Sequence, residues 1–240
     1  MVQYRRDAQR GVLQVKVTNG GDRPVRVTHV RLDTPTFTAP VEADKDSLVG
    51  AGVSADLTVP LGEPACGPDG AARADGPHLV TLEVDGETVE LPVGAEVLGP
   101  VAAERCAAAA VAVQVVLTVG GSWVDAGQVR GEPALRGTVV AAPRPGAPSL
   151  TVSVEGATTL FTVAEPAVAD VPAGAPGPAT LDVVLTVTRC DPHAVAEDKK
   201  GYLLPVRVAV DGAAPVLVEV AVPVPERAPL QQLVDRTCAP

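Results

Sequence analysis

The feature that most constrains the fold of this chain is a segment ending in cysteine that occurs twice. The segment LTVPLGEPAC, residues 57–66, is matched 124 positions later by LDVVLTVTRC, residues 181–190. The same step carries Phe37 onto Phe161 within similar runs of strand-forming residues, with no gap. The sequence therefore predicts two copies of one unit.

Each predicted copy continues to a second cysteine, and we divide the chain into domains of residues 1–108 and 109–240. Four cysteines allow three pairings, and sequence alone does not choose among them. The repeat favours pairing within each domain, which joins Cys66 to Cys106 and Cys190 to Cys238. The alternative is four buried free thiols in a cytosolic protein. Because disulfides are typical of oxidising compartments, we expect an extracytoplasmic protein, secreted or in the cell envelope.

The sequence contains no obvious targeting or membrane-spanning segment. Its opening, MVQYRRDAQRG, lacks the apolar stretch of a signal peptide, so we expect that a leader was removed before Met1. The longest apolar run, residues 106–119, is too short to span a bilayer and contains Gln114 and Thr118. We therefore expect no membrane insertion of the mature chain.

The composition limits which residue types can fill the core and which classes of partner the chain can bind. With two Phe, two Tyr and one Trp, the chain must fill its core mainly with Val, Leu and Ala, and β-branched Val favours strands. Its 23 Gly and 24 Pro alternate with Val-, Leu- and Thr-rich runs, so they punctuate strands. A net charge of −10 and few rings argue against nucleic-acid binding, which uses Lys, Arg and base stacking.

The first strands are predicted from alternating apolar and polar residues. The runs VLQVKVT (12–18) and VRVTHVRL (25–32) flank an Asn-Gly turn, which predicts a hairpin. In the second run Val25, Val27 and His29 would share one face. We interpret His29 as a partly buried core imidazole rather than a metal ligand, because no second His or Cys lies near it in sequence.

Residues 33–52 read as a loop, with a short strand near Phe37. Within them, residues 42–47 (EADKDS) contain a D-x-D element whose carboxylates could hold calcium. Lys45 lies between the two aspartates, and no glycine turn and distal glutamate complete a calcium loop. We therefore favour a solvated acidic turn.

The clearest hairpin is HLVTLEVDGETVELPV, residues 78–93, whose two arms meet at Asp85-Gly86. Each arm offers one apolar face, which suits a sandwich of two sheets. A short helix is predicted before the second cysteine of each domain, at residues 98–106 and 230–238. In the latter, Leu230, Leu233 and Val234 have the spacing of an amphipathic helix.

Two segments of the second domain are predicted as loops. Residues 120–137 form a Gly-rich insertion that carries Trp123, the only Trp. This ring could contact a partner, since aromatic residues dominate binding hot spots, but we favour a ring tucked over the domain junction or sealing one end of a sandwich. Residues 166–179, rich in Pro and Gly, read as an extended, exposed loop.

The nearest approach to a polar site is the loop DPHAVAEDKKG, residues 191–201. It holds His193, Glu197 and Asp198 together with two lysines, which could serve acid–base chemistry or bind a cation. The matching loop of the first domain, GPDGAARADGP, lacks these residues. We favour a solvated loop of mixed charge.

The run LQVKVTNGGDRPVRVTHVRL, together with the cysteine-closed β repeats, resembles bacterial immunoglobulin-like β-sandwich domains of cell-envelope and secreted proteins. The resemblance implies an all-β fold of two tandem immunoglobulin-like β-sandwich domains. Each would end in a short C-terminal helical segment closed by a disulfide. Immunoglobulin-like folds host many functions, so the fold alone implies none.

We find no catalytic signature such as GxSxG, HExxH or a phosphate-binding loop, and we expect no enzyme activity and no cofactor. The sequence is best interpreted as a non-enzymatic extracytoplasmic module that acts as a structural spacer or binds a protein partner. The alternative is a cell-envelope protein that binds a small ligand or a divalent cation.

Overall fold

The structure is a computed structural model, and its contacts divide the chain into two compact units, Met1–Ala107 and Ala108–Pro240. We call these the N-terminal and C-terminal units and treat each by itself. The residues that the structure describes are Asp7 and residues 10–68, 70–73, 75–94, 96–191 and 201–238.

Strands dominate both units. The first part of the chain forms β1 (Val12–Thr18), β2 (Val25–Asp33), β3 (Val41–Val49), β4 (Ser54–Pro60), β5 (Leu79–Val84), β6 (Glu87–Pro92) and helix α1 (Leu98–Ala112). The rest forms β7 (Val115–Val129), β8 (Glu132–Pro143), β9 (Leu150–Val154), β10 (Phe161–Val163), β11 (Ala167–Val171), β12 (Ala179–Val187), β13 (Leu203–Val210), β14 (Val216–Ala221), a 3-10 turn (Val224–Glu226) and α2 (Arg227–Cys238). The predicted all-β class is confirmed.

The strands form four antiparallel sheets, two in each unit. The N-terminal unit has a pair, β1-β4, and a sheet of order β3-β2-β5-β6. The C-terminal unit has sheets of order β10-β12-β8-β7 and β11-β9-β13-β14. The sheet β3-β2-β5-β6 of the N-terminal unit therefore corresponds, strand by strand, to the sheet β11-β9-β13-β14 of the C-terminal unit.

The pairing register also matches between the units. Val30 pairs with Leu82 in the N-terminal unit, and the residues 124 positions later, Val154 and Val206, pair in the C-terminal unit. In the same way, residues of β1 and β4 that pair with each other correspond, 124 positions later, to residues of β8 and β12 that pair with each other. The sequence step of the repeat is thus also the step between equivalent paired residues.

Each unit has an aliphatic core that draws residues from both of its sheets. Full burial of one Val or Leu side chain contributes roughly 1.5–3 kcal/mol, so these clusters supply most of the driving force for folding. The N-terminal core includes Leu13, Val27, Val30, Leu32, Leu57, Val59, Leu82 and Leu98. The C-terminal core includes Val139, Val152, Val154, Phe161, Val183, Leu185, Leu204 and Val206.

The predicted hairpin of β1 and β2 is wrong. β1 pairs with β4, whereas β2 pairs with β3 and β5. The Asn19 side chain donates hydrogen bonds to the carbonyl oxygens of Arg23 (2.8 Å) and Val49 (3.0 Å). This buried amide holds a connection that carries the chain from one sheet to the other, so the Asn-Gly segment does not close a two-residue turn.

The predicted inner position of His29 is also wrong. The register of β2 shifts between Val27 and His29, where a β-bulge adds one residue to the strand. A bulge reverses the alternation of the side chains that follow it. Val30 and Leu32 therefore enter the core, and His29 lies on the outer face.

Residues 41–49, predicted as part of a loop, form strand β3. Every second residue of Val41–Val49 is partly or fully buried, and the acidic residues between them are exposed. Cross-strand pairing with β2 overrides the low strand propensity of Asp and Glu.

The second hairpin prediction is confirmed. Strands β5 and β6 pair across Asp85 and Gly86, which have φ values of 50° and 85°. Positive φ at both central residues is the geometry of a type I′ turn, which suits Asn or Asp followed by Gly.

The helix predictions are confirmed in position and partly in length. In α2, Leu230, Leu233 and Val234 are buried, as their spacing predicts. Helix α1 continues six residues past Cys106 instead of ending there. The run AAAAVA that follows Cys106 has high helix propensity, since Ala is the best helix former.

Of the two loop predictions in the C-terminal unit, that for residues 120–137 is wrong for most of its length, and that for residues 166–179 is wrong only where β11 forms. Residues 120–137 belong to the long hairpin of β7 and β8, in which register shifts between Gly120 and Val124 and between Asp125 and Gly127 absorb the extra residues. Within residues 166–179, β11 pairs with β9 before the chain turns.

Two disulfides are present, Cys66–Cys106 and Cys190–Cys238, which is the pairing that the repeat favours. The first joins α1 to the segment that follows β4. The second joins the last residue of α2 to the segment that follows β12. Two such bonds indicate an oxidising, extracytoplasmic environment.

Gly137 is required by its contact with Trp123, so alanine at this position should destabilise the chain. A Cβ at Gly137 would lie 2.5 Å from Cε3 of the Trp123 ring. We expect Gly137→Ala to lower the free energy of unfolding by about 1–3 kcal/mol, as overpacking does. The matched control is Gly177→Ala, where a Cβ meets no atom within 4 Å. Urea unfolding followed by tryptophan fluorescence measures both, and equal stabilities of the two variants would contradict this packing.

Candidate functional site

The candidate residues of the predicted polar loop, His193, Glu197 and Asp198, lie within residues 192–200, outside the described residues. Their role in acid–base chemistry or cation binding remains a prediction from sequence.

Trp123 lies in the core of the C-terminal unit. Only 4% of its surface is exposed, and it packs with buried residues of β7 and β8. The ring stands on strand β7 rather than on a loop because the Gly-rich segment around it pairs with β8. A ring in this position has little surface to offer to a partner.

The outer face of β2 and β3 carries a row of cross-strand ion pairs. Arg26 pairs with Asp46, and Arg31 pairs with Glu42 at 3.3 Å. Between them, Nδ1 of His29 lies 3.0 Å from Oδ1 of Asp44. The acidic residues of β3, considered above as a calcium site, thus have basic partners on β2, and exposed pairs of this kind contribute at most about 1 kcal/mol each.

A buried polar cluster in the N-terminal unit was not predicted from the sequence. The Thr34 hydroxyl lies 2.6 Å from Nδ1 of His78 and 2.8 Å from the Thr36 hydroxyl, and all three side chains are buried. Thr34 and His78 are 44 positions apart, so no local pattern signals their contact. A hydroxyl beside an imidazole resembles a nucleophile and its base, but burial keeps a substrate away from this one. We interpret the cluster as a link between the loop after β2 and the start of β5.

The Thr34 hydroxyl should therefore matter for stability. Thr34→Val removes the hydroxyl that bonds to both His78 and Thr36. Buried polar atoms of these two residues then lose a hydrogen-bond partner. We expect a loss of about 1–3 kcal/mol in the free energy of unfolding. The control is Thr151→Val, which removes an exposed hydrogen bond of 2.8 Å to Asp170 and should change stability by less than about 0.5 kcal/mol. Circular dichroism during urea unfolding compares the two, and equal effects would contradict a structural role for the buried cluster.

Exposed aliphatic side chains mark the edges of the sheets. All the large exposed hydrophobic residues that lie on described strands belong to strands at the end of a sheet, namely β3, β6, β7, β11 and β14. They are Leu48, Val89, Leu91, Val116, Val124, Val168 and Leu217. Edge strands present unpaired backbone groups, so apolar side chains beside them favour pairing with another chain.

The C-terminal unit has an open apolar groove of about 540 Å³ between two such edges. One wall is β7, through residues 115–119, and the other is β14, through residues 218–221. The end of α1 closes one side, and Arg144 and Glu219 supply the charged groups of the lining. The groove is therefore a continuation of the edge surfaces of both strands.

The N-terminal unit has a more polar cleft of about 770 Å³ beside its disulfide. Phe37 and Cys66 form part of its wall, and Arg73 and Asp75 bring one positive and one negative charge to it. Opposite charges on one wall offer no net attraction to an ion of either sign.

Neither metal ligands nor a membrane span can be identified in the described part of the chain. No three His, Cys, Asp or Glu side chains among the described residues lie together in a way that could hold a metal ion. None of the described helices is both long enough and apolar enough to cross a bilayer.

Comparison with known proteins assigns this chain to no family. No family model and no curated protein matches the chain. A solved structure to which the chain is similar is the transglutaminase of red sea bream, with 12% sequence identity and a TM-score of 0.23. The match covers 88% of this chain but only 29% of the fish enzyme, and at this TM-score it supports no argument about fold or activity.

Proposed function

We propose that this chain is a non-enzymatic, extracytoplasmic module of two tandem immunoglobulin-like β-sandwiches that binds a partner protein at its sheet edges. The observation that carries the proposal is the placement of the exposed aliphatic side chains on edge strands. Added strands are a common mode of peptide recognition, in which backbone hydrogen bonds give affinity and side-chain contacts give specificity.

The sandwich assignment is supported by the cores. In each unit one cluster of buried aliphatic residues contains members from both sheets, as expected when two sheets pack face to face. The tandem assignment is supported by the common strand order and by the common step of 124 positions between paired residues.

A location in the cell envelope or outside the cell is supported by the two disulfides. Bonds of this kind persist in oxidising compartments and are rare in the cytosol. Trapping of free thiols in fractionated cells tests this location. We expect all four cysteines to be oxidised in the extracytoplasmic fraction, and a reduced pool in the cytosol would contradict it.

A role without catalysis is supported by the contacts of the two histidines that the structure describes. His29 lies among carboxylates in a row of ion pairs, and His78 is bonded within a buried cluster. Both side chains have structural partners, and neither faces a cleft described above.

The binding role is tested by capture from the extracytoplasmic fraction of the cells that make the protein. The edge variant combines Leu48→Lys, Val168→Lys and Leu217→Lys, because lysine on an edge strand opposes pairing with another chain. The control variant places three lysines at exposed positions of central strands, Thr28, Thr151 and Asp182.

We expect the native chain and the control variant to capture the same protein, and the edge variant to lose it. Equal capture by both variants would contradict a role for the edges. Failure of all three proteins to capture a partner would contradict the binding role itself.

A further inference from the structure

The apolar groove of the C-terminal unit gives access to a continuous stretch of the edge strand β7. All five residues from Val115 to Val119 line the groove, and residues 218–221 of the edge strand β14 form its opposite wall. Both strands stand at the end of their sheets, so each has one side that pairs with no described strand. Because consecutive residues of β7 line the groove, the edge of this strand is accessible from it.

The backbone of β7 points its outer groups into the groove. The Arg144 amide donates to the Gln114 carbonyl (2.8 Å), and hydrogen-bonded pairs alternate along an antiparallel ladder. The even-numbered residues in this part of β7 therefore bond to β8. Pro143, which has no amide hydrogen, lies opposite Val115 and agrees with this assignment. The amide and carbonyl groups of the odd-numbered residues, such as Leu117, consequently point away from β8 and toward the groove.

The side chains on the inner side of the groove are aliphatic. Val115 and Val119 are buried, and Leu117 between them is half-buried and packs against the core. On β14, Val220 is buried and Val218 is half-buried. A strand placed beside β7 would set its inner side chains against these residues. Burial of apolar surface therefore favours aliphatic residues at alternate positions of such a strand.

The charged residues of the groove have defined positions. Arg144 lies opposite Gln114, beside the start of β7, and its Nε donates to the Ala112 carbonyl at the end of α1 (2.9 Å). Its side chain is exposed, and no acidic residue in the described part of the chain forms an ion pair with it. Glu219 alternates with core-side residues such as Val220, so it points to the outer face of its sheet. The end of the groove beside Arg144 therefore suits a carboxylate.

We propose that the groove between β7 and β14 binds an extended segment of the partner protein, which pairs antiparallel with residues 115–119 of β7. The inference rests on the proposed function and deepens it, because it assigns one edge and the chemistry of its occupant. The segment has aliphatic side chains at three alternate positions, opposite Val115, Leu117 and Val119. In antiparallel pairing its C-terminal end lies beside the start of β7, so a carboxylate at that end meets Arg144.

A second copy of this chain fits the groove less well than a single segment does. Strand β7 lies beside β14 in its own unit, so the β7 of a second copy would bring its own β14 with it. An extended segment adds only the width of one strand, about 4.8 Å. The occupant is therefore a segment that is not already part of a folded sheet.

The probe is a labelled synthetic peptide, KKGTVTVTVD, in which valines alternate with threonines and the final aspartate has a free carboxylate. Two matched peptides carry one N-methyl group each, which removes a hydrogen-bond donor as proline does. In the first, the group is on the central valine, whose amide faces β7 in the proposed pairing. In the second, it is on a neighbouring threonine, whose amide faces away. Fluorescence anisotropy measures binding to the full chain.

We expect the probe to bind the native chain, the valine-methylated peptide to bind at least about tenfold more weakly, and the threonine-methylated peptide to bind as the probe does. In hydrogen exchange, the probe should protect the amides of Val115, Leu117 and Val119 and leave those of the edge strand β11 unchanged. Absence of binding, equal binding of the two methylated peptides, or protection at β11 instead of β7 would overturn the proposal.

The role of the charge is tested by Arg144→Gln, with Arg130→Gln at the exposed tip of the β7 and β8 hairpin as its control. We expect Arg144→Gln to weaken binding of the probe about threefold to fivefold, as loss of an exposed ion pair does, and Arg130→Gln to leave it unchanged. A probe that ends in asparagine amide should bind the native chain and Arg144→Gln equally. Equal binding of the original probe to both variants would overturn the antiparallel orientation of the segment.

The outcomes separate this site from the proposed function. If the probe does not bind but the edge variant with three lysines still loses its captured partner, the partner uses other edges and only the groove site is wrong. If the probe protects β7 but no partner is captured, the groove accepts strands and the proposed binding role is wrong. A dimer of the chain that the probe dissociates would assign the groove to a second copy instead.

Discussion

Replacement of Cys66 and Cys106 by alanine should lower the free energy of unfolding by about 4 kcal/mol. The two cysteines are 40 positions apart, and a cross-link of this span removes that much chain entropy from the unfolded state. Alanine is preferred to serine because Cys106 is only 1% exposed, and a serine hydroxyl there would be buried. Urea unfolding followed by circular dichroism measures the effect.

The second disulfide provides the matched comparison. Cys190 and Cys238 are 48 positions apart, so their replacement by alanine should cost about the same free energy. Cys190 is exposed and Cys238 half-buried, so a reductant should reach this bond before it reaches the Cys66–Cys106 bond. Thiol trapping during mild reduction gives the order. A stability loss of less than about 1 kcal/mol for both pairs would contradict the assignment of these bonds as the main covalent restraint on each unit.

Phe161→Ala should lower the free energy of unfolding by about 3–5 kcal/mol. Phe161 is fully buried and is the largest such side chain in the described residues. Its ring lies 6.2 Å from that of Tyr202, and its neighbours are aliphatic side chains that cannot fill the space of a lost ring. The loss includes both the transfer of the ring from water and the cavity that remains. Because Trp123 lies in the same core, tryptophan fluorescence follows the unfolding of this unit directly.

The control for this substitution is Val168→Ala on edge strand β11, where the side chain is 62% exposed. We expect a change of less than about 0.5 kcal/mol there. A Phe161→Ala effect as small as that of Val168→Ala would show that the ring is not part of a close-packed core.

Local sequence patterns predicted the elements that depend on local physics. Asp85 and Gly86 tolerate positive φ, so their turn and the two strands that it joins could be predicted from the sequence. The spacing of Leu230, Leu233 and Val234 predicted the buried face of α2 for a similar reason. Both features are determined by residues a few positions apart.

The wrong predictions concern features that depend on distant partners. The bulge that turns His29 outward exists because β2 must pair with both β3 and β5. Neither pairing register can be predicted from the residues of β2 alone. The acidic residues of β3 form a strand because basic residues of β2 lie opposite them. In the same way, the Gly-rich segment around Trp123 is a strand because β8 lies beside it.

Even less of the candidate site than of the fold could be predicted from the sequence. Whether an apolar residue such as Leu91 or Val168 is exposed depends on whether its strand lies at the edge of a sheet, which is a property of topology. The polar residues that the sequence singled out, His193, Glu197 and Asp198, lie outside the described residues.

Amide hydrogen exchange at single-residue resolution tests most directly whether the sheet edges are open to another chain. We predict that the outward amides of the edge strands β3 and β11 exchange rapidly, whereas the amides of the central strands β2 and β9, which pair on both sides, are protected. If the outward amides of β3 and β11 were protected as strongly as those of β2 and β9, these edges would already be covered, and the proposed binding at the sheet edges would be wrong.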